Sequence, residues 1–212
     1  MLAGGAGTRF GGAKLTAPWR GGALIDGALA AAFAAPARSV TVVTGADPEV
    51  GEAARTFAGR IGAADRLRLV HCEGHAEGMG ATLRTGIAAL PDDAAGAFVF
   101  LGDMPRVPAS VLPKLAAALA AGAPAAAPTF QGQRGHPVLF SRSLFRDLLT
   151  LTGDEGARQV LRGLGERVAL VEAPDAGVLF DVDQPADLAG GAETHPHSSA
   201  HPGERRGPAR KK

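Results

Sequence analysis

The chain has 212 residues, of which 46% are hydrophobic and 20% charged, and its formal net charge is +1. This length allows one sizeable core or at most two small ones, and the composition is ordinary for a soluble globular protein. Cys72 is the single cysteine, which excludes an internal disulfide, and no apolar run reaches the ~18 residues of a membrane-spanning helix. The body of the chain carries no basic stripe for nucleic acid. We therefore expect a cytoplasmic protein that binds neither nucleic acid nor membrane.

Strand-like and helix-like runs alternate along the chain. The strand-like runs lie at 39–46, 66–72, 96–103, 124–130, 136–141 and 167–173. The helical patterns lie at 47–62, 79–90, 108–122, 141–153, 155–165 and 183–191. This order predicts an α/β fold with a single domain: a doubly wound, mostly parallel, Rossmann-like sheet with helices on both faces, in three layers. Ligands of such sheets bind beyond the carboxyl ends of the strands.

Three segments carry more specific expectations. The run 96–103 (GAFVFLGD) is continuously apolar up to its last residues, which is typical of a central parallel strand covered on both faces. Asp47 and Pro48 predict the N-cap and the first helical position of the helix over 47–62. The basic, histidine-containing stretch 192–212 has no apolar residue larger than alanine or proline, so it cannot bury enough surface to fold. We expect one domain over 1–191 and a disordered tail over 192–212.

A glycine-rich loop opens the chain, within the sequence MLAGGAGTRFGGAKL. Gly4, Gly5 and Gly7 allow the backbone to turn tightly and to expose its N–H groups to an anion. Arg9 and Lys14 add positive charge beside those N–H groups. The combination suits a triphosphate or a pyrophosphate, and the alternative is a flexible glycine turn with two solvated cations.

Two commoner glycine loops do not match this segment. A P-loop requires a lysine and then a hydroxyl residue directly after its last glycine, whereas Lys14 is displaced and a leucine follows it. The dinucleotide fingerprint G-x-G-x-x-G fits Gly5 and Gly7, but its third glycine position holds Phe10. The loop is therefore a candidate phosphate-binding loop of another type.

Carboxylates lie at the ends of two strand-like segments, the run 96–103 and a further segment, GVLFDV, at 177–182. Asp103 ends the run 96–103, within GDMP, and a carboxylate there points into the crevice where ligands bind. Asp181 and Asp183 lie two residues apart, so they share one face if the chain is extended. Carboxylate oxygens suit a Mg²⁺ ion that also touches phosphate. The alternatives are that Asp103 caps a turn and that Asp183 caps the helix starting near Pro185.

Two further segments stand at the entrance to predicted elements. Gly78 and Gly80 lie at the start of the helix in HAEGMGATLRTG, whose N-terminus is placed to face an anion or a base edge, although an ordinary helix entry is the alternative. In QRGHP, Arg134 and His136 stand just before a strand, and His136 is either a substrate ligand or a structural histidine. The sequence contains no G-x-S-x-G, H-E-x-x-H or C-x-x-C motif, so no covalent nucleophile is visible.

These segments together resemble the molybdenum-cofactor nucleotidyltransferases, within the larger group that includes the sugar-nucleotide pyrophosphorylases. The family pattern is L-A-[AG]-G-x-[SG]-x-R-[MF]-G-x-x-K, and LAGGAGTRFGGAK resembles it closely; GDMP and DVDQPADL follow in the family's order. EGMGATLRTG, RGHPVLF and GDEGAR resemble the cytidylyltransferase branch, similar to the enzyme that joins CMP to molybdopterin. The resemblance covers residues 1–190.

The resemblance implies a Mg²⁺-dependent transfer of NMP, in which an acceptor phosphate attacks the α-phosphorus of an NTP and pyrophosphate leaves. It assigns catalysis to Arg9, Lys14 and Asp103, and the metal to Asp103 and Asp183. It assigns nucleotide binding to Leu2, Ala3, Gly4, Gly5, Gly7, Thr8, Arg9, Lys14, Gly78, Met79, Gly80 and Thr82. It assigns binding of the acceptor substrate to Arg134, Gly135 and His136. The implied substrates are CTP and a molybdopterin-type acceptor, and a molybdenum hydroxylase is the implied protein partner.

Departures from the family pattern leave other interpretations open. LAGG resembles the guanylyltransferase branch and GTR the sugar-phosphate pyrophosphorylases, so guanylyl or uridylyl transfer to another acceptor, such as a sugar phosphate, is an alternative. A non-catalytic protein that binds or inserts the cofactor is a second, in which Asp103 and Lys14 are dispensable. Family members normally have several apolar residues before LAGG, where this chain has Met1. We expect that the true start lies upstream or that the chain is cut short, and a defective chain is a third alternative.

Overall fold

A computed structural model describes residues 1–153 and 156–189. The expected tail and the boundary at residue 191 lie outside the described residues, and so do two positions of the GDEGAR motif. Within residues 1–153 and 156–189, every helix falls short of the length and apolarity that crossing a bilayer requires.

The strands are short and mostly apolar. They are β1 (Leu2–Ala3), β2 (Pro18–Trp19), β3 (Gly22–Ala23), β4 (Val40–Thr44), β5 (Leu67–His71), β6 (Gly96–Val99), β7 (Ala125–Phe130), β8 (Gln133–Arg134), β9 (Val138–Ser141) and β10 (Val168–Glu172). The α-helices are α1 (Leu24–Ala34), α2 (Val50–Arg60), α3 (Met79–Ala88), α4 (Leu112–Ala120), α5 (Phe145–Leu148), α6 (Arg158–Leu164) and α7 (Pro185–Ala189). The strand and helix order confirms the alternation predicted from the sequence.

Two sheets meet at the first strand. Strands β1, β4 and β5 are parallel, in the order β1–β4–β5. The second sheet has the order β10–β7–β9–β6, in which β10 is parallel to β7 and β9 is antiparallel to both its neighbours. A parallel bridge between Leu2 and Leu101 joins the two sheets, with the Leu2 N–H donating to the Phe100 carbonyl at 2.9 Å. The run 96–103 is therefore central, as predicted.

The prediction that this central run is a parallel strand is only half right. It has β1 parallel on one side but β9 antiparallel on the other. The reason lies in the connection from β7 to β9, which spans only residues 131–137. A parallel crossover needs a dozen or more residues, so a connection this short returns the chain in the opposite direction.

Helices cover both faces of the sheets and bury two main apolar clusters. One cluster takes side chains from α1, α2 and α4, and the other from α3, α5 and α6. Adjacent residues of β7 alternate between them: Ala125 and Ala127 lie in the second cluster and Ala126 in the first. This alternation is expected of a strand that is buried on both faces. The three-layer α/β fold predicted from the sequence is confirmed.

Two predicted helices differ from the observed ones at their ends. Helix α2 begins at Val50, so Pro48 is not its first residue; instead Asp47 Oδ1 accepts the Glu49 N–H at 2.9 Å in a turn before the helix. The helix expected over 141–153 is shorter, with a 3₁₀ turn followed by the four residues of α5. After this helix the chain runs to α3, where the Gly153 carbonyl accepts the Gly80 N–H at 2.9 Å.

The amino end of β1 lies inside the protein. The Met1 carbonyl accepts the Val43 N–H at 3.0 Å, and the Met1 ammonium donates to the Thr41 carbonyl at 2.7 Å. Both contacts continue the parallel ladder between β1 and β4. Beside Met1 is a cavity of about 310 Å³, lined in part by Val40, Thr41, Ala97 and Phe98. Burial lowers the pKa of the Met1 ammonium to about 5.

Candidate active site

The glycine-rich loop leaves β1 and folds back on itself. The Phe10 and Gly12 N–H groups both donate to the Gly7 carbonyl, at 2.9 and 3.1 Å. Gly7 has φ +59°, a left-handed conformation that glycine adopts without strain. A Cβ on Gly7 would lie 3.1 Å from the Lys14 Cβ, so the two ends of the loop pack closely together. This turn carries Lys14 back over the end of β1.

Lys14 and Asp103 form the closest ion pair of the site. Lys14 Nζ lies 2.7 Å from Asp103 Oδ2, and the exposed fractions of the two side chains are only 14% and 26%. The backbone explains how they meet, since the Gly102 N–H donates to the Leu2 carbonyl at 3.0 Å. Asp103 is thereby fixed at the carboxyl end of β1, next to the loop that this strand delivers.

Asp183 reaches the same place from the other end of the chain. The Val182 N–H donates to the Asp103 carbonyl at 3.0 Å. Asp183 Oδ1 then lies 3.8 Å from Lys14 Nζ. Asp187 Oδ2 accepts the N–H groups of Asp183 and Gln184 at 2.9 and 2.8 Å, so a carboxylate from the following helix satisfies the donors at its start.

Arg9 completes the charge cluster on its outer side. Arg9 Nη1 lies 3.8 Å from Asp183 Oδ2, and 82% of the Arg9 side chain is exposed. Phe10, the residue after it, packs against a small buried cluster of Trp19, Leu24 and Val182. The aromatic residue that breaks the dinucleotide fingerprint therefore anchors the loop to the segment that carries Asp183. We did not predict this contact, because the sequence separation is more than 170 residues.

Gly4 and Thr82 meet where β1 ends. A Cβ on Gly4 would lie 2.9 Å from Thr82 Oγ1 and 3.6 Å from the His75 Cβ, whereas a Cβ on Gly5 would meet no atom within 4 Å. Thr82 is buried. The loop thus has a closed side, at Gly4, and an open side, at Gly5. His75 was not among the predicted site residues, and its sequence context gave no signal.

The start of α3 is packed largely against protein. Gly78 has φ +109°, and the Gly80 N–H is used by the Gly153 carbonyl. Met79 is 41% exposed, and its Sδ would lie 2.9 Å from a Cβ on Gly156. The structure therefore places Thr82 against the glycine loop, while Gly80 packs against the segment after α5.

The segment 134–136 lies between β8 and β9. The Gly135 N–H donates to the Pro128 carbonyl at 2.8 Å, and the His136 N–H donates to the Val178 carbonyl at 2.9 Å. Arg134 is exposed. His136 Nδ1 is buried without a hydrogen-bond partner among the described residues. Burial lowers the pKa of His136, which favours the neutral imidazole, while a backbone hydrogen bond to Val99 and the charge of Asp103 oppose this shift.

A third carboxylate stands beside the pair. Burial, and then the charge of Asp183, raise the pKa of the Asp181 carboxyl. Asp103 adds to this effect and Lys14 opposes it. The three carboxylates therefore lie close enough to act on one another, and Lys14 supplies the opposing charge.

The two carboxylates fit a divalent cation that retains water and binds phosphate. In the part of the chain that the structure describes, no three His, Cys, Asp or Glu side chains are grouped to hold a metal ion. A single ammonium nevertheless contacts both Asp103 and Asp183. Mg²⁺ is usually held by one or two carboxylates together with substrate phosphates and several waters. The donor set suits that kind of ion and does not form a closed protein cage.

The glycine loop after β1 carries two cations that face two carboxylates, Asp103 after β6 and Asp183 before α7, and this arrangement suits nucleotidyl transfer. The model of the MobA-like NTP transferase domain matches residues 1–170. The chain belongs to this family of nucleotidyltransferases, so the family predicted from the sequence motifs is confirmed.

Two proteins are similar to this chain in sequence. The chain is 24% identical over 188 residues to a molybdenum cofactor cytidylyltransferase from Escherichia coli, covering 89% of this chain and 91% of the relative. It is 34% identical over 127 residues to the purine catabolism protein PucB from Bacillus subtilis, covering 58% of this chain and 60% of the relative.

Solved structures share the fold over most of the chain. Rv0371c from Mycobacterium tuberculosis matches with a TM-score of 0.72 at 25% identity, covering 89% of this chain and 93% of that one. A second structure of Rv0371c, in complex with manganese, matches with a TM-score of 0.69 at 25% identity, with the same coverage of 89% and 93%. Divalent metals are used by nucleotidyltransferases of this family.

Proposed function

We propose that this protein is a Mg²⁺-dependent nucleotidyltransferase that transfers CMP from CTP to a molybdopterin-type acceptor and releases pyrophosphate. The choice of CTP and molybdopterin is supported by the similarity to the Escherichia coli cytidylyltransferase, which extends over 89% of this chain. The product would pass to a molybdenum hydroxylase.

One observation carries the reaction type. Lys14 Nζ lies 2.7 Å from Asp103 and 3.8 Å from Asp183, and Arg9 lies 3.8 Å from Asp183. Two cations from one loop and two carboxylates from two other segments converge at one edge of the sheet. Phosphoryl-group chemistry needs these elements together, since the protein must hold a metal and neutralise phosphate charge at the same place.

Each part of the loop has a distinct task in this proposal. The backbone at Gly4, Gly5 and Gly7 cradles the phosphates, and Arg9 and Lys14 neutralise the pyrophosphate that leaves. Asp103 and Asp183 hold the Mg²⁺ ion, which when bound would polarise a phosphate oxygen and offset its charge. The remaining nucleotide-binding residues, which line the base and ribose, are Leu2, Ala3, Thr8, Gly78, Met79, Gly80 and Thr82.

The reaction requires no covalent intermediate on the protein. A phosphate oxygen of the acceptor attacks the α-phosphorus of CTP, and a new phosphoanhydride bond forms as the bond between the α-phosphorus and the bridging oxygen breaks. Pyrophosphate takes the electron pair of that bond. Arg134, Gly135 and His136 are the proposed acceptor side. A neutral His136 with a buried, unpartnered Nδ1 is able to accept a hydrogen bond there.

The test is a matrix of nucleotides against acceptors. Purified protein with Mg²⁺ is given CTP, GTP, ATP or UTP, each with molybdopterin or with a panel of sugar phosphates, and pyrophosphate release is measured. We expect release with CTP and molybdopterin together and none with either alone. Preference for GTP or for a sugar phosphate would replace the proposed substrates with the guanylyl or sugar-phosphate alternative. No turnover with any pair would overturn the proposed enzymatic activity and favour the interpretation as a cofactor-binding protein.

A substitution tests the role of the carboxylate directly. Asp103→Asn should reduce kcat by ~10²-fold or more, because electrostatic groups at the reacting centre contribute on this scale. Asp26→Asn is the matched control, since Asp26 forms an ion pair with Arg60 at 2.8 Å between α1 and α2. The control should lose an ion pair and keep its kcat. Full activity of Asp103→Asn would remove Asp103 from the proposed metal site.

A further inference from the structure

Lys14 is paired with both candidate metal ligands at once. Its Nζ lies 2.7 Å from Asp103 Oδ2 and 3.8 Å from Asp183 Oδ1, and only 14% of its side chain is exposed. An ammonium ion that gives up most of its hydration must be compensated by charged partners. The two carboxylates supply that compensation, so they hold Lys14 in its observed position.

A divalent cation needs the same oxygens. Mg²⁺ binds carboxylate oxygens at about 2.0–2.1 Å and demands nearly octahedral geometry. An ion bound to Asp103 Oδ2 would therefore stand close to the Lys14 ammonium, and two cations at such short range in a partly buried site repel each other strongly. The ammonium and the metal therefore compete for this oxygen.

We propose that Lys14 is a place-holding cation, which occupies the position of the metal until a phosphate anion draws it away. The inference rests on the proposed function, because the anion is the triphosphate of the NTP substrate. A lysine carries its charge on a flexible four-carbon stem with three rotatable donors. Its ammonium is therefore able to swing from Asp103 to a phosphate while the loop stays in place.

The consequence is cooperative binding of metal and nucleotide. Without nucleotide, the metal must compete with Lys14 for Asp103. Without metal, the nucleotide must compete with Asp103 for Lys14. Bound nucleotide draws Lys14 away from the metal site, and bound metal draws Asp103 away from Lys14. By linkage, the nucleotide raises the affinity for metal by the same factor as the metal raises the affinity for nucleotide.

Arg9 provides a matched control for charge. Its guanidinium lies 3.8 Å from Asp183 Oδ2, and 82% of its side chain is exposed. Exposed ion pairs contribute little. Arg9→Gln therefore removes one positive charge beside the same carboxylates without vacating the position on Asp103, whereas Lys14→Gln vacates it.

The first test is a titration with Mn²⁺ in the absence of nucleotide. The concentration of free Mn²⁺ is measured by its electron paramagnetic resonance signal. Lys14→Gln should bind Mn²⁺ about tenfold more tightly than the wild type, within the usual range of coupling between sites. Arg9→Gln and Lys14→Arg should stay within about threefold of the wild type, as expected for a weak exposed pair and a retained charge. Adding Asp103→Asn to Lys14→Gln should abolish the gain. Lys14→Met repeats the test if circular dichroism shows that the glutamine variant does not fold.

The reciprocal test measures CTP binding by calorimetry in the presence of EDTA. Asp103→Asn releases Lys14 and should tighten metal-free CTP binding by about tenfold. The same substitution also removes a negative charge that repels the triphosphate. It is therefore repeated in the Lys14→Gln background, where only the smaller gain from the reduced repulsion should remain. An equal gain in both backgrounds would overturn the proposal.

The outcomes separate this inference from the proposed function. Both readouts are binding measurements that need no turnover. Lack of pyrophosphate release with every substrate pair defeats the transfer reaction, while the Mn²⁺ titration still decides the role of Lys14. Conversely, an active enzyme whose Lys14→Gln variant binds Mn²⁺ no better than wild type defeats the place-holder alone. Failure of every variant to bind Mn²⁺ also defeats it.

Discussion

Gly135 and Val178 are packed together so closely that only glycine fits. A Cβ on Gly135 would lie 2.8 Å from the Val178 carbonyl carbon and 3.0 Å from the Val178 Cβ. The neighbouring His136 N–H donates to the same Val178 carbonyl at 2.9 Å. This contact fastens the connection between β8 and β9 to the 3₁₀ turn Ala176–Leu179, which leads to Asp181 and Asp183.

Gly135→Ala should therefore destabilise the protein by about 1–3 kcal/mol, because backbone must move to admit the new methyl group. The free energy of unfolding is measured by urea titration. Gly59→Ala is the control, since Gly59 lies within α2 and a Cβ there meets no atom within 4 Å. It should gain about 0.5–1 kcal/mol from reduced chain entropy. Equal stability of the two variants would contradict the close contact.

His136 should report on the charge of Asp103. Burial lowers the pKa of His136 and the negative charge of Asp103 opposes that shift, so Asp103→Asn should lower this pKa further. The measurement is an NMR titration of the imidazole protons in EDTA. Asp47→Asn is the control, because Asp47 accepts a hydrogen bond from Thr16 Oγ1 and is not among the charges that act on His136. An unchanged His136 pKa in Asp103→Asn would show that the two groups are not coupled.

The same histidine makes stability depend on pH. Below the ordinary histidine pKa of about 6.5, His136 binds a proton in the unfolded chain but not in the folded protein, where its pKa is lower. Unfolding then takes up a proton, so the free energy of unfolding should fall as the pH drops from 6.5 toward the folded pKa. His136→Gln should have a smaller slope than the wild type in this pH range, measured as the urea midpoint against pH, because the histidine contribution is removed.

The buried amino terminus predicts a second pH dependence, between pH 5 and pH 8. The Met1 amine has a pKa of about 5 in the folded protein against 8.0 in the unfolded chain. Unfolding takes up a proton in this window, so stability should rise with pH across it. The total is at most about 4 kcal/mol, from three pH units at ~1.4 kcal/mol each.

Engineered extensions before Met1 distinguish the effect of the buried amine on stability from the effect of the cavity. Five apolar, β-branched residues should remove the buried amine and also fill part of the cavity of about 310 Å³ between β4 and β6. A Gly-Ser extension of equal length removes the amine alone. Both should remove the part of the pH dependence that comes from the Met1 amine and leave the part that comes from His136. The apolar extension should have the higher Tm, because buried apolar surface stabilises the folded state. Equal Tm values for the two extensions would show that the cavity does not accept a strand.

Gly4 and Thr82 should behave as a coupled pair. Because a Cβ on Gly4 would lie 2.9 Å from Thr82 Oγ1, Gly4→Ala should cost about 1–3 kcal/mol of stability. Thr82→Ala removes the clashing hydroxyl and should restore part of that loss, which a double-mutant cycle measures. Gly5→Ala is the control and should cost little, since its Cβ meets nothing within 4 Å. Additive effects of the two substitutions would contradict this packing.

Local chemistry made much of this molecule predictable. Some features depend on only a few neighbouring residues, so the sequence predicts them. They are the glycines at the start of the chain, the apolar run 96–103 and the alternating strand and helix patterns. Helix ends were less predictable: the Asp47–Pro48 pair is followed by a turn before α2 begins at Val50. Local preference for a helix start competes there with the hydrogen bond from the Glu49 N–H to Asp47.

The sequence by itself determined the α/β class, the glycine-rich character of the first loop and the identity of its charged residues, because glycine conformation, apolar periodicity and side-chain chemistry are local properties. Only the tertiary structure decided that Lys14 would lie between Asp103 and Asp183. That meeting depends on two main-chain hydrogen bonds, from Gly102 to Leu2 and from Val182 to Asp103. Residues far apart in the chain are brought together by sheet order and by packing, which no local pattern encodes.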